Sequence, residues 1–303
     1  MTRGREAAVA VLVCAAALGM WVLVASRPGL WPSGCERGCA TGERAPGPVR
    51  VVQLNMLHGF PAFGRLDERV DLIVAEVLRR DADVVLLEEV PWTVRTGAVV
   101  DELARRTGMN HVFRRANGNR RGILFEEGEA ILSRFPMRGV ASTELPRGTD
   151  VFEHRIALAA TLDTPWGPLG AVATHLSGES ARVSTAQVEA LLRFVGHPGY
   201  PVIIGGDFNA RDDSPPLVAL ARSWTDVLRS ANPADPGHTC CVDDVAAPSD
   251  PRFGERVDYL WLAGTPSRIV EARRILVQPV RVRDGWLRAS DHAGLFAAID
   301  LTR

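Results

Sequence analysis

Polar side chains stand at the end of a strongly apolar segment of this sequence, residues 201–209. There an apolar run leads through Gly205 and Gly206 to Asp207 and Asn209, two positions apart. Side chains alternate along a strand, so the carboxylate and the amide share one face if the strand continues. The two glycines let another group approach the backbone closely. Asp and Asn also end strands by bonding to their own backbone, so an ordinary turn is the alternative for this stretch.

Other strand-like segments of the chain end in the same way. The polar residues concerned are Asn55, Glu88, Glu89, His175, Asp258, Asp291 and His292. A single Asn or Asp at a strand end is usually a turn residue, and a single His is usually structural. Independent turns do not require this mixture of carboxylates, amides and imidazoles, so we predict that these side chains meet in one site.

This mixture of side chains is typical of metal-assisted phosphoryl chemistry. Mg²⁺ prefers oxygen ligands, needs only one or two carboxylates, and accepts phosphate oxygens and waters as further ligands. The ion offsets the charge that builds up on phosphorus, while an Asp or a His accepts the proton of the attacking water. The sequence contains no G-x-S-x-G motif of a serine hydrolase. Near these residues the sequence has no pair of histidines at the helical spacing that is typical of zinc sites.

Alternating and periodic apolar patterns predict about nine strands and three or four helices after residue 48. The strands cover residues 49–57, 82–90, 129–133, 154–163, 169–176, 201–209, 256–263, 273–280 and 292–301. The helices cover residues 65–80, 96–108 and 181–195. A tight turn between residues 163 and 169 predicts a hairpin, which argues against a purely parallel sheet. We therefore expect one α/β domain with a large, mainly antiparallel core.

The first 26 residues differ from the rest of the chain. Nineteen uncharged residues, 7–25, follow two arginines, a length between that of a signal-peptide core and that of a membrane-spanning helix. Residues 27–48 are rich in Pro, Gly and Arg. We expect a signal peptide or membrane anchor in 1–26, a linker in 27–48 and a catalytic domain in 49–303. The protein would then be secreted, or anchored facing the extracytoplasmic side.

Four cysteines follow the apolar segment, and in an oxidising compartment they would form up to two disulfides. Since Cys240 and Cys241 are adjacent, we predict that each pairs with Cys35 or Cys39, which would attach the linker to the domain. A zinc site made of these thiols and His238 is the alternative, although the spacing matches none of the usual zinc patterns.

Six short motifs, in order, give the sequence a family resemblance. The motifs are LNML, LLEEV, ATHL, IIGGDFNA, ERVDYLWL and SDHAGLFAAI. Together they resemble the endonuclease/exonuclease/phosphatase superfamily, which includes deoxyribonucleases, sphingomyelinases and inositol-polyphosphate phosphatases. The resemblance runs from about Val49 to Leu301. It implies a four-layer α/β sandwich, in which two packed, largely antiparallel β-sheets are flanked by helices. Glu88 stands where the family usually has Gln.

The resemblance also implies roles for the residues at the strand ends. Glu89 would bind the metal, Mg²⁺ or alternatively Mn²⁺, assisted by Asn55 and Asp291. Asp207 would position or deprotonate the attacking water. Asn209 would hold that water or a phosphate oxygen.

Two histidines and one further carboxylate complete this implied site. His292 would face the phosphate, with Asp258 bonded to its ring and fixing its tautomer. His175 would lie on the side of the leaving group and could protonate it. Whether Asp207 or His292 is the base stays open.

Three further groups of basic residues have two interpretations each. His58 could reach the cleft, but we interpret it as a surface-loop residue. Arg155 could contact phosphate, but we interpret it as half of an exposed ion pair. The arginines of Arg114 to Arg121 could bind a polyanion, but we interpret this stretch as a solvated loop.

The function predicted from the sequence is that of an exported, Mg²⁺-dependent phosphoesterase, with a phosphodiester favoured over a monoester. The substrate would be nucleic acid, a phospholipid or a small phosphate ester. The net charge of −1 argues against a non-specific nuclease. We expect a monomer that associates with membranes through residues 7–25. The alternative is a non-catalytic binding module, but such a module would be expected to lose the catalytic residues, and they are present.

Overall fold

The computed structural model describes residues 2–35, 39, 42, 47–150, 152–248, 253–265 and 267–301, with side chains from residue 11 onward. Part of the predicted linker, 27–48, lies outside the described residues, as do residues 302–303 of the predicted catalytic domain.

Six helices are present in the described part of the chain. They are α1 (Thr2–Ala25), α2 (Leu66–Arg79), α3 (Val99–Thr107), α4 (Ala181–Val195), α5 (Pro215–Leu220) and α6 (Val227–Ala231). The three helices predicted after residue 48 correspond to α2, α3 and α4, each within three residues of its predicted start.

Sixteen strands are assigned in the same residues. The first eight are β1 (Ser33–Gly34), β2 (Val49–Asn55), β3 (Val84–Thr93), β4 (Gly97–Ala98), β5 (Asn110–Asn119), β6 (Phe125–Ser133), β7 (Met137–Glu144) and β8 (Ile156–Thr164). The remainder are β9 (Gly167–His175), β10 (Val202–Asp207), β11 (Thr225–Asp226), β12 (Asp258–Ala263), β13 (Arg268–Ile275), β14 (Val280–Val282), β15 (Gly285–Leu287) and β16 (Gly294–Asp300).

Two large sheets contain most of these strands. Sheet A has the order β1-β5-β6-β3-β2-β16-β13, with β4 paired to β3, and sheet B has the order β11-β12-β10-β9-β8-β7. Only β2–β3 and β9–β10 are parallel pairs among the described residues. The predicted hairpin is present, since β8 and β9 pair antiparallel through the turn at residues 164–167.

Three apolar layers hold the two sheets and the helices together. The layer between the sheets contains Leu86 of sheet A and Ile203 of sheet B. The outer face of sheet A packs on Val70 of α2 and its neighbours, and the outer face of sheet B packs on Leu191 of α4. The order helices, sheet, sheet, helices confirms the predicted four-layer sandwich.

Two long strands were missed besides several of two or three residues, and one of the long ones changes the interpretation of the arginine-rich stretch. Arg114 to Asn119 belong to β5 rather than to a solvated loop. Strand β5 pairs with β6, whose Glu126 accepts hydrogen bonds from Arg115 and Arg120. Because Glu126 forms hydrogen bonds with these arginines, so highly charged a segment can form a strand. Strand β7, at 137–144, was also not predicted.

The predicted disulfide pairing is wrong. The structure joins Cys35 to Cys39 and Cys240 to Cys241. Each cysteine therefore bonds to a near neighbour in sequence, and no disulfide attaches residues 35–39 to the domain. The thiols are consumed by these bonds, and His238 contacts the carbonyl oxygen of Phe253 instead of a zinc site.

Helix α1 covers the apolar N-terminal segment. Over the residues that the structure describes, no helix combines the length and the apolar character that crossing a membrane requires.

Candidate active site

The strand register of sheet B brings three of the predicted site residues side by side. Asp207, at the end of β10, pairs with His175 on β9 and with Asp258 on β12. Neighbouring strands lie about 4.8 Å apart, so the three side chains share one end of the sheet. The three residues are adjacent because β9 and β10 end, and β12 begins, at the same edge of the sheet.

Two glycines make the end of β10 possible. A Cβ atom on Gly206 would lie 1.9 Å from the carbonyl oxygen of Thr174, and one on Gly205 would lie 2.6 Å from a methyl group of Leu86 on the other sheet. At position 206 the clash is with backbone, so only glycine fits, whereas at position 205 a larger residue would force the buried Leu86 to move. The expectation that these glycines permit close approach is confirmed, and the group that approaches is the protein itself.

Sheet A supplies the facing half of the site. Asn55 ends β2, and its register partner on β3 is Glu88. A bulge in β3 follows, where Glu89 has a positive φ of 56°. Bulges redirect side chains, so Glu88 points between the sheets while Glu89 points to the rim. Asp291 and His292 lie in the segment just before β16.

Asn55 connects the two halves. Its Nδ2 atom donates to Oε1 of Glu89 at 3.2 Å and to Oδ2 of Asp207 at 3.1 Å. The backbone N–H of Asn209 donates to the other oxygen of Asp207 at 2.8 Å. Asp207 is thus held from both sides, and its Oδ2 atom also lies 3.4 Å from Nε2 of His175 and 3.8 Å from Nε2 of His292.

A buried chain of polar side chains orients His292. Its Nδ1 atom lies 2.8 Å from Oδ2 of Asp258, and the other oxygen of Asp258 accepts from Nε2 of Gln53 at 3.1 Å. The same Nε2 atom donates to Glu88 at 2.8 Å. The predicted bond between Asp258 and the ring of His292 is therefore present in the structure. Gln53 was missed, although strand alternation places it on the face of Asn55, two residues away.

The surroundings of the two histidines shift their pKa values in opposite directions. Burial lowers the pKa of His175 well below its usual range, and nearby Arg155 lowers it further. Burial also acts to lower the pKa of His292, but the charge of Asp258 and its hydrogen bond outweigh burial and raise the pKa to about 11. Near neutral pH, His292 is therefore the cation and His175 is neutral.

Two of the carboxylates have raised pKa values. Burial, followed by the charge of Asp258, raises the pKa of Asp207 to about 7. Burial, again with the charge of Asp258, raises the pKa of Glu88 well above its usual range. Glu88 is 0% exposed and its raised pKa favours the neutral acid, so it is the structural member of the pair Glu88–Glu89.

Glu89 and Asp291 would supply carboxylate oxygens for a divalent cation, and Asn55 holds Glu89 in place through its Nδ2 atom. Glu89 and Asn55 lie at the rim, and burial together with the charge of Glu89 raises the pKa of Asp291, which is the signature of carboxylates close enough to repel one another. Asp207, Asp258 and His292 also offer atoms within 4.8 Å of one another. However, both oxygens of Asp258 are already bonded to His292 and Gln53, so the first set suits a hard cation better.

Two basic residues were interpreted only partly correctly. His58 lies in a loop, as expected, but it also reaches the site: its backbone N–H donates to Oε2 of Glu89 at 3.1 Å, and its ring Nε2 atom lies 3.5 Å from the same oxygen. Arg155 does pair with an acid, Glu153, but its side chain is only 16% exposed. Its positive charge faces the buried Glu129 and lies close to His175.

Arg69 and Ser290 support the site and were not predicted. The guanidinium of Arg69 is buried and donates to the carbonyl oxygens of Met56, Leu57 and Ala289. The Ser290 hydroxyl donates to the carbonyl oxygen of Asn55 and accepts from the N–H of His292. These bonds join the segment after β2 to the segment before β16. The sequence signal for Arg69 was a charge inside the apolar stripe of its helix.

The sequence profile of the Endonuclease/Exonuclease/phosphatase family matches residues 52–292. No curated protein is significantly similar in sequence.

Several solved structures share the fold. An endonuclease/exonuclease/phosphatase from Beutenbergia cavernae is 23% identical, with a TM-score of 0.65 over 84% of this chain and 72% of that one. A family protein from Bacteroides thetaiotaomicron is 13% identical, with a TM-score of 0.67 over 86% and 100%. TDP2 from C. elegans is 20% identical, with a TM-score of 0.63 over 83% and 75%. At these identities the likeness shows the fold alone.

Proposed function

This chain belongs to the Endonuclease/Exonuclease/phosphatase family, and on that premise we propose that it is a Mg²⁺-dependent phosphodiester hydrolase. The observation that carries the proposal is the position of Asp207. Its Oδ2 atom lies within 4 Å of three groups that phosphoryl transfer needs, namely an amide beside the metal carboxylate and two histidine rings.

Glu89, Asn55 and Asp291 would hold the cation. When bound, Mg²⁺ supplies positive charge that stabilises the charge developing on the phosphoryl oxygens. Mn²⁺ takes the same kind of oxygen ligands and is the expected substitute. The amide of Asn55 donates to both Glu89 and Asp207 and so holds the carboxylate that would bind the cation next to the proposed base.

In this proposal the base is Asp207 and not His292. A base needs a pKa near the working pH, and the pKa of Asp207 is raised by burial to about 7. A water oxygen attacks phosphorus, its proton passes to Oδ2 of Asp207, and the bond from phosphorus to the leaving oxygen breaks. The departing alkoxide takes up a proton.

The two histidines have different tasks. His292 is charged, since its pKa is about 11 after the effect of Asp258 outweighs that of burial. It therefore faces the phosphate as a hydrogen-bond donor and cannot also accept the water's proton. His175 is neutral, and its Nε2 atom lies 2.9 Å from Nδ2 of Asn209, which it holds in place. Protonation of the leaving group by His175 stays a prediction.

We also propose that the protein is exported. The uncharged run at residues 7–25 and the two disulfides support this, because disulfides persist in oxidising compartments. Mass spectrometry of the protein recovered from its native host would show whether it lies outside the cytoplasm and whether its N-terminus follows residue 26.

Hydrolysis assays with matched variants test the catalytic proposal. The full chain would be incubated with Mg²⁺ and three diesters: bis(p-nitrophenyl) phosphate, an oligonucleotide and sphingomyelin in detergent. Asp207→Asn removes the base, while Asp213→Asn makes the same change at an exposed position. We expect hydrolysis by the wild type and by Asp213→Asn, with a loss of about 100-fold or more in Asp207→Asn. Equal rates in all three proteins would overturn the assignment.

A further inference from the structure

A groove of about 760 Å³ opens beside the active site. Three segments that are distant in sequence line it: residues 60–68, residues 93–95 and residues 123–124. The volume is within the range of sites that bind small organic groups. None of the catalytic residues lines it, so it is an addition to the site and not a part of it.

Exposed apolar side chains are concentrated in this groove. Among the described residues after residue 48, nine large apolar side chains are exposed, and four of them line the groove: Phe60, Val94, Ile123 and Leu124. Val94 is 68% exposed and Leu124 is 55% exposed. Single exposed apolar residues are ordinary, but a contiguous group of them marks a binding surface.

The groove adjoins the proposed metal site through a series of ring contacts. His58, whose N–H donates to Glu89, lies with its ring 5.0 Å from that of Phe125. Phe125 in turn stacks on Phe60 at 4.7 Å. Strand β3 makes a second connection, since Thr93 follows Glu89 by four residues, or roughly 13 Å of strand. A substrate whose phosphate lies at Glu89 can therefore extend into the groove.

The charges at the rim of the groove neutralise one another. Arg65 forms two hydrogen bonds with Glu68, and Arg95 lies 3.1 Å from Asp67. A single-stranded nucleic acid binds to a groove with excess positive charge, and the charged residues of this rim have no net positive charge. The balance of charges, together with the exposed aliphatic side chains of Val94, Ile123 and Leu124, favours a hydrocarbon occupant over a nucleic-acid strand.

The apolar surface extends beyond the groove. Gly122, next to Ile123, lies so close to Trp21 of α1 that a Cβ atom on it would be 3.2 Å from the indole ring. Helix α1 exposes a further set of apolar side chains, namely Val11, Leu12, Val13, Leu18, Met20 and Val24. Helix α1 therefore lies, through Trp21, next to Gly122 and so next to Ile123 at the edge of the groove.

We propose that this groove binds the hydrocarbon chain of a phospholipid whose phosphate is held at Glu89 and Asp207. The inference rests on the proposed phosphodiester hydrolase function, and it selects phospholipid from the three substrate classes that the sequence left open. Phe60 and Val94 act as specificity residues, because they contact the chain and not the phosphorus.

Calorimetric binding of alkylphosphonates tests this inference without requiring turnover. The full chain with Mg²⁺ would be titrated with methyl-, butyl- and octylphosphonate. If the chain enters the groove, affinity rises up to about fourfold per methylene group, and the heat-capacity change of binding becomes more negative with chain length. Affinity that does not depend on chain length, or no binding of octylphosphonate, would overturn the inference.

Two groove variants and one control test whether the gain in affinity with chain length arises in the groove. Phe60→Ser and Val94→Ser should each weaken octylphosphonate binding about fivefold or more, while methylphosphonate binding stays unchanged. Val270→Ser removes an equally exposed side chain from the edge strand β13 and should change neither. If both groove variants keep the full gain with chain length, the chain binds elsewhere and the inference fails. If Phe60→Ser instead weakens binding of an oligonucleotide and octyl adds nothing, the groove takes bases.

The inference and the proposed function can fail separately. Chain-dependent phosphonate binding without hydrolysis of any diester would remove the hydrolase function and keep the hydrocarbon site. Hydrolysis of bis(p-nitrophenyl) phosphate without any chain-length effect would remove the hydrocarbon site and keep the function.

Discussion

The ring of His292 is bonded to Asp258 across the two sheets, with 2.8 Å between Nδ1 and Oδ2. Asp258 begins β12 of sheet B, and His292 lies just before β16 of sheet A. Both are buried. The bond therefore closes the site end of the sandwich, fixes the tautomer of the ring and points Nε2 towards Asp207.

Asp258→Asn should lower the pKa of His292 from about 11, because it removes the largest charge that opposes burial, while Asp207 and Asp291 remain. The ring would also lose the carboxylate that fixes its tautomer, and kcat should fall by about 10²-fold or more. NMR titration of the histidine side chains, together with kinetics, measures both effects. Asp163→Asn, in an exposed ion pair with Arg138, is the control. An unchanged pKa for His292 would refute the proposed source of its charge.

Glu88→Gln should remove a pH dependence of stability. Burial raises the pKa of Glu88, so the folded state holds a proton that the unfolded state releases. Its stabilising contribution is complete below the ordinary pKa of 4.5 and is lost as the pH rises towards the folded value. Urea unfolding at pH 5 and pH 8 should show a smaller loss of stability on raising the pH in Glu88→Gln than in the wild type. Parallel profiles for the two proteins would argue that Glu88 is not protonated.

Glu89→Gln should abolish metal binding without unfolding the protein. Glu89 is partly exposed at a bulge, so its loss leaves no large cavity, but it removes the main carboxylate of the cation site. We expect Mg²⁺ affinity to fall about 100-fold or more by calorimetry. The control Glu189→Gln changes an exposed helical carboxylate. Wild-type Mg²⁺ affinity in Glu89→Gln would place the cation elsewhere, with the carboxylates around Asp207 as the next candidates.

Arg69→Met should destabilise the fold by ~3 kcal/mol or more. The buried guanidinium donates to carbonyl oxygens of residues 56, 57 and 289, which would be left without partners. Arg79→Met, in which an exposed side chain of the same helix is changed, should cost less than about 0.5 kcal/mol. Urea unfolding measures both. A cost for Arg69→Met as small as that of the control would show that water replaces these bonds.

Sequence patterns predicted the sandwich and most of the site because both are encoded locally. Each apolar run that ends in Asn55, Asp207 or His175 predicts both a strand and its polar end within a few residues. Strand β5 escaped prediction because its arginines are neutralised by Glu126 on another strand. The disulfide partners escaped because pairing depends on which thiols meet in space.

The features that the sequence did not predict depend on contacts between distant segments. The side chain of Gln53 is explained only by Glu88 and Asp258, which lie on two different sheets. The groove is formed by residues near 60, 94 and 123, none of which has a pattern that relates it to the others. His58 was assigned to the surface because nothing local shows that its backbone N–H meets Glu89.

Hydrolysis in ¹⁸O-labelled water, followed by ³¹P NMR, tests the central claim most directly. The full chain with Mg²⁺ would act on bis(p-nitrophenyl) phosphate, with Asp207→Asn and Asp213→Asn in parallel. We predict that the wild type and Asp213→Asn yield a phosphomonoester with one ¹⁸O atom on phosphorus, and that Asp207→Asn yields almost none in the same time. A product without ¹⁸O, or equal incorporation by Asp207→Asn, would contradict attack by a water that Asp207 deprotonates.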